Sequence, residues 1–196
     1  MNALPDLRTG EIEAFLTSAG DGWETARRQS LGQDASTRRY LRLFREDGAT
    51  ALLMDAPRVE SDPCPPEADS AMRARMGWNA MTRLAASRVE AFALISHHLR
   101  GLSLRAPEVY RFDAGPGFAL IEDFGDGREF ARLIGRGAQD ETRLYTAAAE
   151  RLAVLHKASI PKVLSLGGAA WPILEFDRVA LGANADLYAD WLPAET

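Results

Sequence analysis

An α+β fold follows from three observations on this chain. Asp47-Gly48 lies between Tyr40-Leu-Arg-Leu-Phe44 and Thr50-Ala-Leu-Leu-Met54, the signal of a tight antiparallel hairpin. A second strand pair, Val109-Tyr-Arg-Phe112 and Gly117-Phe-Ala-Leu-Ile-Glu122, flanks Asp113-Ala-Gly-Pro116. From Asp140 to Ala158, Leu144, Ala147, Ala148, Leu152 and Leu155 recur at helical spacing, and Asp140-Glu141 favour the positive end of that helix. Strands first and helices after place a change of layer near residue 126.

The elements follow in order. Residues 9–19 read as a helix, with Thr9 as its cap, Ile12, Phe15 and Leu16 as one apolar stripe, and Gly20 as its stop. Trp23 to Ser30 leads into a strand, and Gln33-Asp-Ala-Ser36 reads as a turn before the hairpin. Residues 56–69, with four prolines, read as a loop or lid. A helix is expected over 67–86, weakened by Gly77, and a firmer one from about Ser87 to Leu99, with Val89, Phe92, Leu94, Ile95 and Leu99 on its buried face. After Gly127 only helices are expected: a short one from Glu129 to Gly135, the 140–158 helix, and a last one starting near Ile173 or Asp177 and running towards Trp191.

Composition sets bounds on function. The chain of 196 residues is 46% hydrophobic and 26% charged, which is globular composition. Its net charge of −5, from 23 basic and 28 acidic residues, lacks the basic footprint of a nucleic-acid binder. A single cysteine, Cys64, between prolines in a loop, rules out an internal disulfide. No apolar run is long enough to span a bilayer, and the N-terminal residues carry no basic or apolar leader pattern. The cytoplasm is the compartment this implies.

Five segments point further when taken together: Gly32-Gln-Asp-Ala-Ser36-Thr-Arg-Arg-Tyr40, Leu53-Met-Asp-Ala-Pro57, Pro107-Glu-Val109, Leu120-Ile-Glu-Asp-Phe-Gly-Asp126 and Leu152-Ala-Val-Leu-His156. Their joint order and spacing resembles the aminoglycoside phosphotransferase and choline kinase-like superfamily, in particular its branch of cell-wall sugar kinases acting on N-acetylmuramate or N-acetylglucosamine. The resemblance covers roughly residues 10–56 and 87–192. It implies a protein-kinase-like N-terminal lobe over 1–122, a hinge at 123–127 and the start of a helical C-terminal lobe over 128–196. It further implies ATP between the lobes, magnesium on its phosphates, and transfer of the γ-phosphoryl group to a hydroxyl of a sugar or aminoglycoside.

On that resemblance, Gly32 to Tyr40 match the turn covering the phosphates, where Ser36 and Thr37 offer hydroxyl and N–H groups. Glu122, Asp123 and Phe124 match the hinge, whose main chain pairs with the adenine edge. Glu90 matches the helix glutamate that orients a phosphate-binding cation. The cation itself departs from the pattern, because Met54 stands where the third strand should carry lysine. An arginine is the substitute: Arg39 shares the parity of Leu41 and Leu43, whereas aligning Tyr40 with the cleft-facing position selects Arg38. Both stay open.

A second departure is the lack of His-x-Asp-x-x-x-x-Asn and of a following metal-binding Asp, as none of His97, His98 and His156 has an Asp two residues on. The chain is therefore expected to be the N-terminal, ATP-binding piece of a kinase, inactive alone; the alternative is a complete, catalytically inactive nucleotide- or protein-binding module. The 58–88 stretch also looks longer than its counterpart in the sugar kinases. Simpler readings stand beside these. His97-His98, adjacent on a helix, point apart rather than converge on a metal. His156 reads as packing. Glu122, Asp123 and Asp126 read as solvated hinge carboxylates rather than a magnesium cluster.

Overall fold

The computed structural model describes residues 4–32, 38–57, 69–75, 88–126, 133, 141–173, 178, 181, 182 and 185. Helix α1 runs over Leu4–Ala19, followed by a 3₁₀ turn at Trp23–Thr25 and strand β1 at Arg27–Ser30. Strands β2 (Arg39–Phe44) and β3 (Thr50–Asp55) come next, then helices α2 (Ser70–Arg75) and α3 (Val89–Gly101). Strands β4 (Val109–Asp113) and β5 (Phe118–Glu122), helix α4 (Glu141–Lys157), and strands β6 (Val163–Leu166) and β7 (Ala169–Pro172) complete the described elements. Strands β1 to β5 form one antiparallel sheet in the order β1-β2-β3-β5-β4. The architecture is the α+β one expected, that of a kinase-like N-terminal lobe.

Local chemistry accounts for the boundaries. Helix α1 starts at Leu4, so Thr9 lies inside it and is not its cap. Pro5 sits in the first turn, where its missing N–H has no intrahelical acceptor to lose. Gly20, at φ 75°, ends the helix as expected. The β2–β3 hairpin pairs Phe44 with Thr50, and Gly48 takes φ 87° while the Asp47 carboxylate accepts the Ala49 N–H at 3.0 Å. Helix α3 and strands β4 and β5 fall within two residues of the expected bounds. Of the helix expected over 67–86, Ser70–Arg75 is helical and 76–86 lies outside the described residues. The expected turn at Gln33–Ser36, most of the 56–69 loop, and the bulk of the helices expected at 129–135 and towards Trp191 also lie outside them.

The two faces of the sheet carry separate cores. Leu43, Ala51, Leu53, Phe118 and Leu120 pack against Ile12, Phe15 and Leu16 of α1 and against Trp23, with the Phe15 and Phe118 rings 5.4 Å apart. Met54, Ala119 and Ile121 face the other way, towards Val89 and Phe92 of α3, with Tyr40 and Leu52 alongside. Each fully buried large side chain here contributes about 1.5–3 kcal/mol.

One expectation fails beyond residue 127. The chain there is not only helical, because β6 and β7 form a hairpin across Gly167-Gly168, at φ 56° and 83°. Two consecutive left-handed residues make the primed turn that matches strand twist. Ile173 donates its N–H to the Lys162 carbonyl at 2.9 Å, extending that hairpin, so the last helix does not start at Ile173; residues 178, 181, 182 and 185 are helical, in keeping with the alternative start near Asp177. Helix α4 forms where expected, yet none of its residues is buried, and Tyr145 and Leu152 are about half exposed. No helix among the described residues is long and apolar enough to cross a membrane.

Candidate functional site

Strand parity sorts the candidate residues onto opposite faces. Tyr40 and Met54 are paired across β2 and β3 on the α3 side, and the Tyr40 hydroxyl lies 3.5 Å from the Met54 sulfur. Met54 is fully buried, so the strand position where a lysine was expected is filled by an apolar side chain packed near Val89. Arg39 shares the parity of Leu41 and Leu43 as expected, but that face is the one covered by α1. There its Nη2 bonds to Asp55 Oδ2 at 2.6 Å. Asp55 is buried and also accepts two bonds from Arg8, from Nε at 3.0 Å and from Nη2. The Arg8 guanidinium lies 3.9 Å over the Phe118 ring. Arg38 precedes β2 and is half-buried. Ser36 and Thr37 lie outside the described residues.

Glu90 occupies the first turn of α3, its side chain 13% exposed. Among the described residues its Oε2 is buried without a hydrogen-bond partner, while Oε1 lies 4.0 Å from Nη1 of the buried Arg88. Sequence reasoning passed over Arg88. Its only signal was a basic residue directly ahead of the helix that carries Glu90.

Side-chain contacts hold the end of β5 and the segment after it. Glu122 is tied to the β4 edge: its Oε2 accepts the Glu108 N–H at 3.1 Å, its Oε1 accepts from Arg105, and Arg100 Nη1 stands 3.8 Å away. Partial burial alone would push the Glu122 carboxyl up; the Glu108 N–H and the guanidiniums of Arg105 and Arg100 outweigh it and hold the group below the ordinary carboxylate range. Asp123 is 4% exposed and not the solvated carboxylate expected. Its Oδ2 lies 2.8 Å from Arg42 Nε, though not aligned as a hydrogen bond, and its Oδ1 accepts from Arg42 Nη2 at 3.2 Å and from the Gly125 N–H at 2.9 Å. Asp126, 67% exposed, takes a two-pronged contact from Arg42, Nη1 at 2.7 Å and Nη2 at 3.0 Å. The Arg42 guanidinium is held protonated still more firmly than usual, chiefly by its bonds to Asp126. Phe124 is partly exposed with the Arg105 guanidinium 4.6 Å over its ring.

Glu122 and Asp123 thus commit their carboxylates to the protein. Among the described residues, the main-chain groups of Asp123 and Phe124 make no main-chain hydrogen bond, whereas the Glu122 N–H is used by the Glu108 carbonyl at 2.8 Å. What this segment can offer a flat polar ligand is its backbone donor and acceptor pair. Among the described residues no three His, Cys, Asp or Glu side chains converge as metal ligands. His98 Nε2 is buried without a partner among them, and His97 lines a cavity of about 300 Å³ with Arg100 and Phe112.

A five-stranded antiparallel sheet packed on both faces, against α1 on one and α3 on the other, defines the class: a kinase-like N-terminal lobe. No protein-family model matches the chain. The chain is 44% identical over 190 residues to the N-acetylmuramate/N-acetylglucosamine kinase of Caulobacter vibrioides, a match covering 97% of this chain and 51% of that protein. The chain therefore spans about half the length of the curated relative it matches.

Proposed function

We propose that this chain is the nucleotide-binding portion of a sugar kinase that transfers the γ-phosphoryl group of ATP to a sugar hydroxyl. The observation that carries the reading is the segment after β5: side chains of 122 and 123 tied back to the sheet, and main-chain groups of 123 and 124 without a main-chain partner among the described residues. The relative that matches nearly the whole chain is named as a kinase of N-acetylmuramate and N-acetylglucosamine, which supports an amino sugar as acceptor ahead of an aminoglycoside.

In this reading the Asp123 and Phe124 main chain pairs with the adenine edge, and Leu52 and Tyr40 line the sheet beside it. Arg39 lies on the α1 side with Asp55, whereas Arg38 shares the parity of Tyr40 on the α3 side, and the phosphate role is given to Arg38 on that ground. Ser36 and Thr37 add hydroxyl and N–H donors from the turn ahead of β2. Glu90, with Arg88 beside it, orients charge at the start of α3. Transfer needs positioned phosphates, neutralised charge and an oriented hydroxyl. This chain's assigned residues supply the first, and no residue here is assigned as general base.

Titration calorimetry with ATP, and assay of the intact protein with ATP and N-acetylmuramate, N-acetylglucosamine or kanamycin, test the reading. Saturable ATP binding with turnover of an amino sugar is expected. Failure to bind ATP refutes it. One observation favours a second reading, binding without transfer: the buried Met54 at the strand position where the resemblance places a lysine. ATP binding with no turnover on any sugar by the intact protein would select it.

A further inference from the structure

We infer that Arg42 is a positioning residue for the base end of the cleft: without touching a ligand, it sets where the hinge presents its main chain. The inference rests on the nucleotide reading above and extends it to a residue on a distant strand. Arg42 belongs to β2, two strands away from β5. It is paired with Leu52, and Leu52 with Ile121, so its side chain must cross β3 along the α3 side to reach the hinge. It arrives almost fully buried and meets two carboxylates from one tight turn, Asp123 and Asp126.

Burying Arg42 and Asp123 is a costly way to hold a turn, because desolvation takes back much of the Coulomb gain between them, and only the Asp126 end of the triad stays in water. What it provides is direction. The planar fork fixes Asp126 through two parallel contacts at 2.7 and 3.0 Å, while Asp123 turns back to accept the Gly125 N–H at 2.9 Å. The turn is thereby closed around the guanidinium, between Glu122 on one side and Gly125 on the other. Glu122 is fastened independently to the β4 edge. The two main-chain groups of 123 and 124 lie between these anchors, and their orientation follows from both. A lysine at 42 would offer one point charge in place of the fork and could not hold both carboxylates in one plane.

The test uses the full chain as wild type, Arg42→Ala, Arg42→Lys and Asp126→Asn. Adenosine and inorganic tripolyphosphate are titrated separately, and amide hydrogen exchange is followed over residues 122–126. Arg42→Ala is expected to weaken adenosine about tenfold or more, leave tripolyphosphate within about twofold, and speed exchange at the Gly125 amide, with Arg42→Lys in between. A folded Arg42→Ala chain with unchanged adenosine affinity overturns the inference, and so does an equal loss for adenosine and tripolyphosphate. If Arg42→Ala does not fold, Asp126→Asn decides instead, since it removes the exposed carboxylate and leaves the Asp123 pair: about threefold weaker adenosine supports the inference and no change overturns it. Wild type that binds tripolyphosphate and no adenosine removes the base site and the inference with it. Intact adenosine binding with an unaffected Arg42→Ala variant removes the inference alone.

Discussion

Asp55 is a position outside the apolar cores where one substitution has a calculable effect. It is buried at the end of β3 and accepts from Arg8 on α1 and Arg39 on β2. Asp55→Ala removes both ion pairs. The Arg8 pair is the stronger, because Arg8 is only 19% exposed and binds through two nitrogens; charge-assisted bonds of this kind contribute about 1.5–3 kcal/mol. Arg39 is 49% exposed, so its share is about 0–1 kcal/mol. Arg8 keeps Glu11 at 2.8 Å and its contact with Phe118, which limits the penalty of leaving it without Asp55. The sum is about 3 kcal/mol, or about 6–12 °C of melting temperature for a domain of this size. Thermal unfolding followed by circular dichroism measures it. A double-mutant cycle then apportions it, with expected coupling of about 2 kcal/mol for Arg8 with Asp55 and below about 1 kcal/mol for Arg39 with Asp55. A shift smaller than about 2 °C, or a larger coupling to Arg39 than to Arg8, would refute the burial argument.

Three further outcomes are expected. Arg38→Ala should weaken ATP binding about tenfold in the intact protein while Arg39→Ala changes it less than threefold, by calorimetry; the reverse order would return the phosphate role to Arg39. Glu122 has a depressed carboxyl pKa, so its stabilisation is fully present above the ordinary carboxylate value and is lost as pH falls through the lowered one. Urea midpoints of Glu122→Gln should therefore fall below wild type at neutral pH and converge with it in acid, and a gap that widens in acid contradicts the assignment. A Cβ at Gly168 meets nothing within 4 Å, so Gly168→Ala tests backbone conformation alone, at φ 83°. It should cost about 1 kcal/mol and raise exchange at the Ile173 amide, with Gly168→Asn milder.

The fold was legible where one local signal sufficed. Asp47-Gly48 and Asp113–Pro116 announced hairpins because turn chemistry is decided within four residues, and both strand pairs form. The hairpin at Gly167-Gly168 carried a signal of the same kind, two glycines between short apolar runs. It was overridden by the helical expectation for everything after residue 127. Helix α4 shows the opposite limit. Its periodicity is real and the helix forms, but burial is a property of whatever packs against the stripe, which periodicity does not contain.

The candidate site divides along the same line. Parity correctly put Arg39 with Leu41 and Leu43, and alternation in a strand guarantees that much. It could not say that α1 would cover that side, nor that Asp55, sixteen residues on, would be waiting there. Arg42 was invisible for a related reason. Its partners Asp123 and Asp126 are more than eighty residues away and read locally as surface carboxylates of a turn. Only sheet order, with β5 inserted beside β3, brings the segment after β5 within reach of a side chain on β2. The residues that hold the 123–126 segment in place are therefore specified by topology, and those that would meet a base in the proposed reading, being main chain, are specified by no side chain at all. Arg42→Ala spares every proposed ligand contact, so it is the substitution on which the positioning inference, as distinct from the nucleotide reading, is most exposed to refutation.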